Sequence, residues 1–146
     1  MTIRHIVERD RGDWVRMRHA LWPDSLSDHE AETLAHFETS RDLPIVFVAE
    51  LESRVVGFLE LDFRKYAPGC SSSPVPFIEG WYVEPAQQGS GIGRALVAAA
   101  EAHARAAGYP EIASDVEIWN TGSIAAHLAV GYEEVERVVS FRRSLG

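Results

Sequence analysis

The sequence has one cysteine, Cys70, so no disulfide can form within the chain. A reducing compartment is the setting such a composition suits, and Cys70 is read as an ordinary small side chain unless a base lies beside it. No apolar run approaches the roughly 18 residues a membrane span requires. Met1 to Asp10 alternates polar and apolar residues, so it does not read as an apolar targeting segment. Basic residues are scarce: 14 Lys and Arg stand against 22 Asp and Glu, for a net charge of −8. That field repels nucleic-acid phosphates and concentrates cations. Repeats, linkers and low-complexity stretches are missing as well. The absences together point to a cytoplasmic globular protein with no nucleic-acid or membrane partner.

What is present fits one domain spanning residues 1–146, with 46% apolar residues to build its core. Thr2 to Glu8 reads as a strand. Asp10 is placed to cap a helix through Leu21, whose Trp14, Val15, Met17 and Leu21 follow helical spacing. Ser27 with Glu30 suggests a capping box opening a second helix that ends near Ser40. Pro44 to Glu50 and Val55 to Lys65 form a hairpin about Glu52-Ser53-Arg54. Pro68 to Pro74 is a loop, and Val75 to Val83 is extended until Pro85 stops it. Ile92, Leu96, Val97, Ala100 and Ala104 share one helical face, closed by Gly108. Glu111 to Glu117 reads as a strand, Thr121 to Val130 as a helix, and Tyr132 to Arg142 as a last strand. The order β-α-α-β-β-β-α-β-α-β predicts an α/β (α+β) fold, a mixed sheet flanked by helices.

The strongest local signal runs from Val83 through Gln88-Gly89-Ser90-Gly91-Ile92-Gly93-Arg94 to Leu96. A strand ends, a glycine-rich turn follows, and an amphipathic helix begins. Glycines let the backbone approach a ligand, while free N–H groups and the helix dipole favour an anion such as pyrophosphate. A Walker loop would need Lys then Ser or Thr after the last glycine, but Arg94-Ala95 follow Gly93. A Rossmann fingerprint would open a βαβ unit, whereas several strands precede this turn.

Taken whole, the pattern resembles the GNAT acetyltransferase superfamily. In that family a Gln/Arg-x-x-Gly-x-Gly/Ala turn binds the pyrophosphate of acetyl-CoA, matched here by Gln88, Gly91 and Gly93. The resemblance implies a mostly antiparallel central sheet and assigns acetyl-CoA as cosubstrate, with no metal. It extends the cofactor contacts over Gly89, Ser90, Ile92 and Arg94, and gives Tyr82 and Val83 backbone contacts. Asn120, Ser123-Ile124 and Gly131-Tyr132 match the family helix that borders the pantetheine arm. Where many relatives carry a tyrosine that protonates the leaving thiolate, this chain has His127, an imidazole able to serve as acid or simply to pack.

Further stretches narrow the resemblance. Leu21-Trp22-Pro23, Tyr66 with Gly69 to Val75, Phe77 to Gly80, Ala113-Ser114-Asp115 and Glu134 to Val138 look like an aminoglycoside 6′-N-acetyltransferase. That group implies Glu79 and Asp115 as the carboxylates that hold the acceptor near its reactive amine and manage its proton. The residues agree independently. An alkyl amine is mostly protonated at neutral pH yet attacks only when neutral. The site must therefore bind a cation and then remove its proton. Glu136 and Glu117 extend the expected anionic wall, and Trp22 and Tyr66 offer flat faces to sugar rings. Direct transfer without an acyl-enzyme is expected. A polyamine or protein amine would suit the same acidic pocket, and a non-catalytic acyl-CoA-binding module is the reading from a different class. Relatives are commonly homodimers, and Val135, Val138, Val139 and Phe141 would suit either such a contact or a core strand.

Overall fold

A computed structural model describes residues 1–39 and 42–146. Its strands are β1 (Thr2–His5), β2 (Ile45–Leu51), β3 (Arg54–Arg64), β4 (Val75–Val83) and β5 (Ala113–Ser114). They form one sheet in the order β1-β2-β3-β4-β5. Every neighbouring pair is antiparallel except β4 with β5, which is parallel. The helices are α1 (Arg11–Leu21), α2 (Leu26–Glu38), α3 (Ile92–Ala106) and α4 (Thr121–Ala129). The expected mixed, mostly antiparallel sheet with flanking helices is the one observed.

Two apolar layers hold the helices to the sheet. On one face Trp14 and Met17 of α1 pack on Val46, Val48, Val55 and Phe58. On the other, Ile92, Leu96, Val97 and Ala100 of α3 pack on Phe47, Leu59, Leu61 and Ile78. Burying each such side chain is worth about 1.5–3 kcal/mol. The α3 stripe therefore fixes that helix, and with it the turn at its start.

Several boundaries differ from the sequence reading. β1 ends at His5. Asp10 makes no capping bond to α1. Its carboxylate instead accepts from Arg4 Nη1 and Nη2 at 2.7 and 3.0 Å and from the Val7 N–H at 2.9 Å. A buried two-nitrogen ion pair outcompetes a single cap bond. The capping box at Ser27 and Glu30 is not formed either, because α2 starts at Leu26 with Ser25 at the cap position and no side-chain bond there. The predicted end of that helix at Ser40 lies outside the described residues.

The hairpin, β4, and α3 with Gly108 after its end lie where they were read. The strand expected over Glu111 to Glu117 shrinks to Ala113–Ser114, because only Phe77 and Ile78 of β4 supply partners. The last strand, Tyr132 to Arg142, is absent. A strand requires a neighbour to pair with, and among the described residues this segment takes none. Val138, Val139 and Phe141 lie exposed along it, as does Leu145 just beyond.

Candidate active site

A bulge in β4 shapes the site. Gly80 pairs with Glu60 and Ile78 with Leu61, so Glu79 is an extra residue without a partner on β3. The insertion reverses the alternation of faces. Ile78 packs in the α3 core, and beyond the bulge Trp81 and Val83 pack against that same core. Bulges of this kind re-aim a side chain and end pairing. Pairing of β4 with β5 stops here too: Phe77 faces Ala113 and Ile78 faces Ser114, and nothing pairs beyond. Glu79, the next residue of β4, and Asp115, the first residue past β5, therefore flank the opening of the wedge.

The structure links these two carboxylates through a residue that sequence reasoning missed. Arg64, the last residue of β3, donates from Nε to Glu79 Oε2 at 3.0 Å and from Nη2 to Oε1 at 2.6 Å. Its Nη1 stands 3.6 Å from Asp115 Oδ2. The guanidinium lies 3.6 Å above the Phe77 ring. Only the register of β3 on β4 brings Arg64 diagonally to Glu79, and a single sequence does not reveal it.

Trp22, at the end of α1, rests against β4. A Cβ at Gly80 would come within 2.6 Å of its Cη2, so glycine is required for this approach. The ring is held from behind. The Arg18 guanidinium lies 5.4 Å from both the Trp14 and the Trp22 rings. Arg18 pairs with buried Glu60 at 2.8 and 3.1 Å, and Trp14 Nε1 also donates to Glu60. His29 Nε2 lies 2.9 Å from the Trp22 carbonyl oxygen. Tyr66 is exposed. Glu117 and Glu136 are exposed as well, and among the described residues no hydrogen bond or ion pair joins either to Glu79, Asp115 or Arg64.

On the other side of β4 lies the glycine turn. Gly89 and Gly91 have φ of 82° and 90°, left-handed values that favour glycine. Open space surrounds the position a Cβ would take at each. Gly91 caps α3 without a side chain, so the first N–H groups of α3 are left for a ligand. Gln88 Nε2 donates to the Val83 carbonyl at 3.1 Å, and the Ser90 hydroxyl bonds to the Gln87 carbonyl. Such a concave turn with uncapped donors fits a pyrophosphate. Ile92 is buried in the α3 core. Arg94 donates to the Ala129 carbonyl at 2.9 Å, and Asn120 caps α4 by accepting from the Ser123 N–H at 3.1 Å. Arg94 therefore ties α3 to the end of α4, while the Asn120 bond is local to the start of α4.

The register also orients the backbone of β4. The Glu84 N–H bonds the Val56 carbonyl, which makes Gly57 and Val83 a non-hydrogen-bonded pair. The Val83 amide therefore points away from β3, toward the wedge. The Tyr82 ring turns to the opposite face and packs near Phe58 at 6.1 Å.

His127, on α4, also reaches the wedge. Its Nδ1 lies 2.7 Å from the Ser123 carbonyl oxygen, which can only accept, so Nδ1 carries a hydrogen. Nε2 lies 2.8 Å from the hydroxyl of Ser114, the last residue of β5 paired to β4. Trp81 packs edge-on against the ring at 5.1 Å. The Cys70 thiol lies beside the Glu111 carboxylate. Burial, and after it the Glu111 carboxylate, push its thiol above the ordinary value. That leaves it protonated at neutral pH.

A model of the acetyltransferase (GNAT) family matches residues 14–132. The chain is 43% identical, over 99% of its length and 94% of the other's, to an aminoglycoside N(6′)-acetyltransferase type 1 of Stenotrophomonas maltophilia. It is 39% identical to a protein of the same name from Klebsiella aerogenes, over 98% of this chain and 96% of that one. Among solved structures, the aminoglycoside 6′-N-acetyltransferase AAC(6′)-Ig of Acinetobacter haemolyticus superposes with a TM-score of 0.89 at 33% identity, covering all of both chains. AAC(6′)-Iy, bound to the bisubstrate analogue CoA-S-monomethyl-acetylneamine, superposes with a TM-score of 0.88 at 34% identity, over 98% of this chain and 97% of that one. The glycine turn on α3, the splayed β4–β5 pair and these likenesses converge: the chain belongs to the GNAT family of acetyltransferases.

Proposed function

We propose that this chain transfers the acetyl group of acetyl-CoA directly to the 6′-amine of a cationic aminoglycoside, and so confers resistance to such antibiotics. The observation that carries the reading is that one wedge collects an outward-facing amide at Val83 and two carboxylates, Glu79 and Asp115. Relatives at about two-fifths identity bear the name of that activity.

Acetyl-CoA supplies the activated acyl group. Gln88 to Arg94 offer N–H donors to its pyrophosphate, and Asn120 borders the arm that runs down the wedge. The Val83 N–H, with Tyr82 preceding it, stabilises the negative oxygen that develops during transfer. Glu79 and Asp115 attract the acceptor ammonium, and its proton leaves to solvent through this acidic wall. The N–C bond then forms as the C–S bond breaks, and His127, having taken a proton from solvent at Nε2 to become the imidazolium, serves as the acid that gives that proton to sulfur. Trp22 and Tyr66 present faces to the sugar rings.

The working form in this reading is a cytoplasmic homodimer. Support comes from Val138, Val139, Phe141 and Leu145, left exposed on an unpaired segment, and from the two-residue β5 at the sheet edge. Glu136 rides on that segment and joins the acceptor wall in such an assembly.

A thiol-release assay with acetyl-CoA against an aminoglycoside, a polyamine and a peptide amine tests the reading. Release with the aminoglycoside at far higher kcat/KM supports it. Preference for either of the other amines contradicts it, as does tight CoA binding without release.

A further inference from the structure

The two carboxylates assigned above to the acceptor amine are not equivalent. Both oxygens of Glu79 are taken by a single guanidinium, at 2.6 and 3.0 Å. That guanidinium rests over the buried Phe77 ring, its central carbon 3.6 Å from the ring centroid, so it is supported from below. A forked arginine–carboxylate pair seated on an aromatic face is rigid and directional. Asp115 is held differently. Its one contact with Arg64 is 3.6 Å, longer than a hydrogen bond, and its side chain is 70% exposed against 33% for Glu79. One positive and two negative charges leave the group with a single uncompensated charge, and the exposed end of it is Asp115.

We propose that Arg64 is a positioning residue that divides the pair, clamping Glu79 as its permanent counter-ion and leaving Asp115 to receive the acceptor amine and its proton. The inference rests on the acceptor-site reading given above and assigns the roles within it. The ammonium gives its proton to an Asp115 oxygen and keeps the electron pair that forms the N–C bond. Asp115 then passes the proton to water. Glu79, fixed by Arg64 and aimed by the bulge, sets the acceptor's orientation. It does not exchange the proton.

The test is a kinetic cycle with neamine and acetyl-CoA on Arg64→Met, Glu79→Gln, Asp115→Asn and the double variant Arg64→Met/Glu79→Gln. Asp115→Asn is expected to lower kcat by about 100-fold or more, the scale of a lost general base. Arg64→Met and Glu79→Gln should each lower kcat by about 10-fold without changing KM for acetyl-CoA. The double variant should be no worse than the worse single one, because both break the same clamp. A Glu79→Gln loss as deep as that of Asp115→Asn, or a double variant with multiplied losses, overturns the division of roles. Unchanged turnover in both carboxylate variants overturns the acceptor-site reading itself. Should Arg64→Met fail to fold, Arg64→Lys keeps the charge and loses the fork. A reduced kcat with unchanged KM for acetyl-CoA then supports the clamp, and a wild-type kcat overturns it.

Discussion

The Nε2 of His127 stands 2.8 Å from the Ser114 hydroxyl, at the point where β4 and β5 part. With Nδ1 committed to the Ser123 carbonyl, Nε2 is the only ring nitrogen that can exchange a proton toward the wedge. His127→Phe is therefore expected to lower kcat by about 100-fold or more while CoA affinity stays within a factor of about 2. Steady-state kinetics with calorimetric CoA binding checks this. An unchanged kcat would remove His127 from proton transfer and leave it as packing between Trp81 and Tyr132.

Gly80 is a seat for Trp22. A methyl group there would stand 2.6 Å from the indole, and the ring cannot retreat because Arg18, Glu60 and His29 hold it from behind. Gly80→Ala should cost about 1–3 kcal/mol of stability, the scale of overpacking. It should also raise the acceptor KM several-fold and leave the acetyl-CoA KM unchanged. Thermal unfolding and two-substrate kinetics separate the two effects.

Gly91 controls the other substrate. Its φ of 90° is strained for any side chain, at a cost of roughly 1–2 kcal/mol. Gly91→Val should weaken CoA binding by 10-fold or more, with little change in acceptor KM. Isothermal titration with CoA measures it.

Acid stability should depend on Asp10. Burial pushes its carboxyl up, but the Arg4 fork and the Val7 N–H outweigh that and hold it below its ordinary value of 3.8. A lowered folded value stabilises the protein above the unfolded value, and that contribution is lost as pH falls through the folded one. Denaturant unfolding is therefore expected to show a loss of stability below about pH 4, part of which disappears in Asp10→Asn. A variant as acid-sensitive as the parent would exclude the pair as its source.

The glycine turn and α3 were legible because their signals are local: Gly89 and Gly91 need left-handed backbone, and Ile92, Leu96 and Ala100 repeat at helical period. The carboxylates Glu79 and Asp115 stand out in the sequence as charged residues within apolar stretches, and their part in the site is the proposal made above. Arg64 was not legible, since the register of β3 on β4 and the bulge at Glu79 decide where it points. Asp10 was misread because a competing partner, Arg4, lay on the preceding strand. The strand expected at Tyr132 to Arg142 failed for a different reason. Its apolar pattern describes a segment able to pair, while pairing also requires a free edge in reach.

Acetyl transfer to a 6′-amine is the step on which the proposed function depends. The direct measurement is product analysis by mass spectrometry and NMR after incubation with acetyl-CoA and neamine, beside an otherwise identical compound bearing a 6′-hydroxyl. A single acetyl group is expected, on the 6′ nitrogen of neamine, with no N-acetylation of the hydroxyl compound. Acetylation at another amine, or equal acetylation of both compounds, would contradict it.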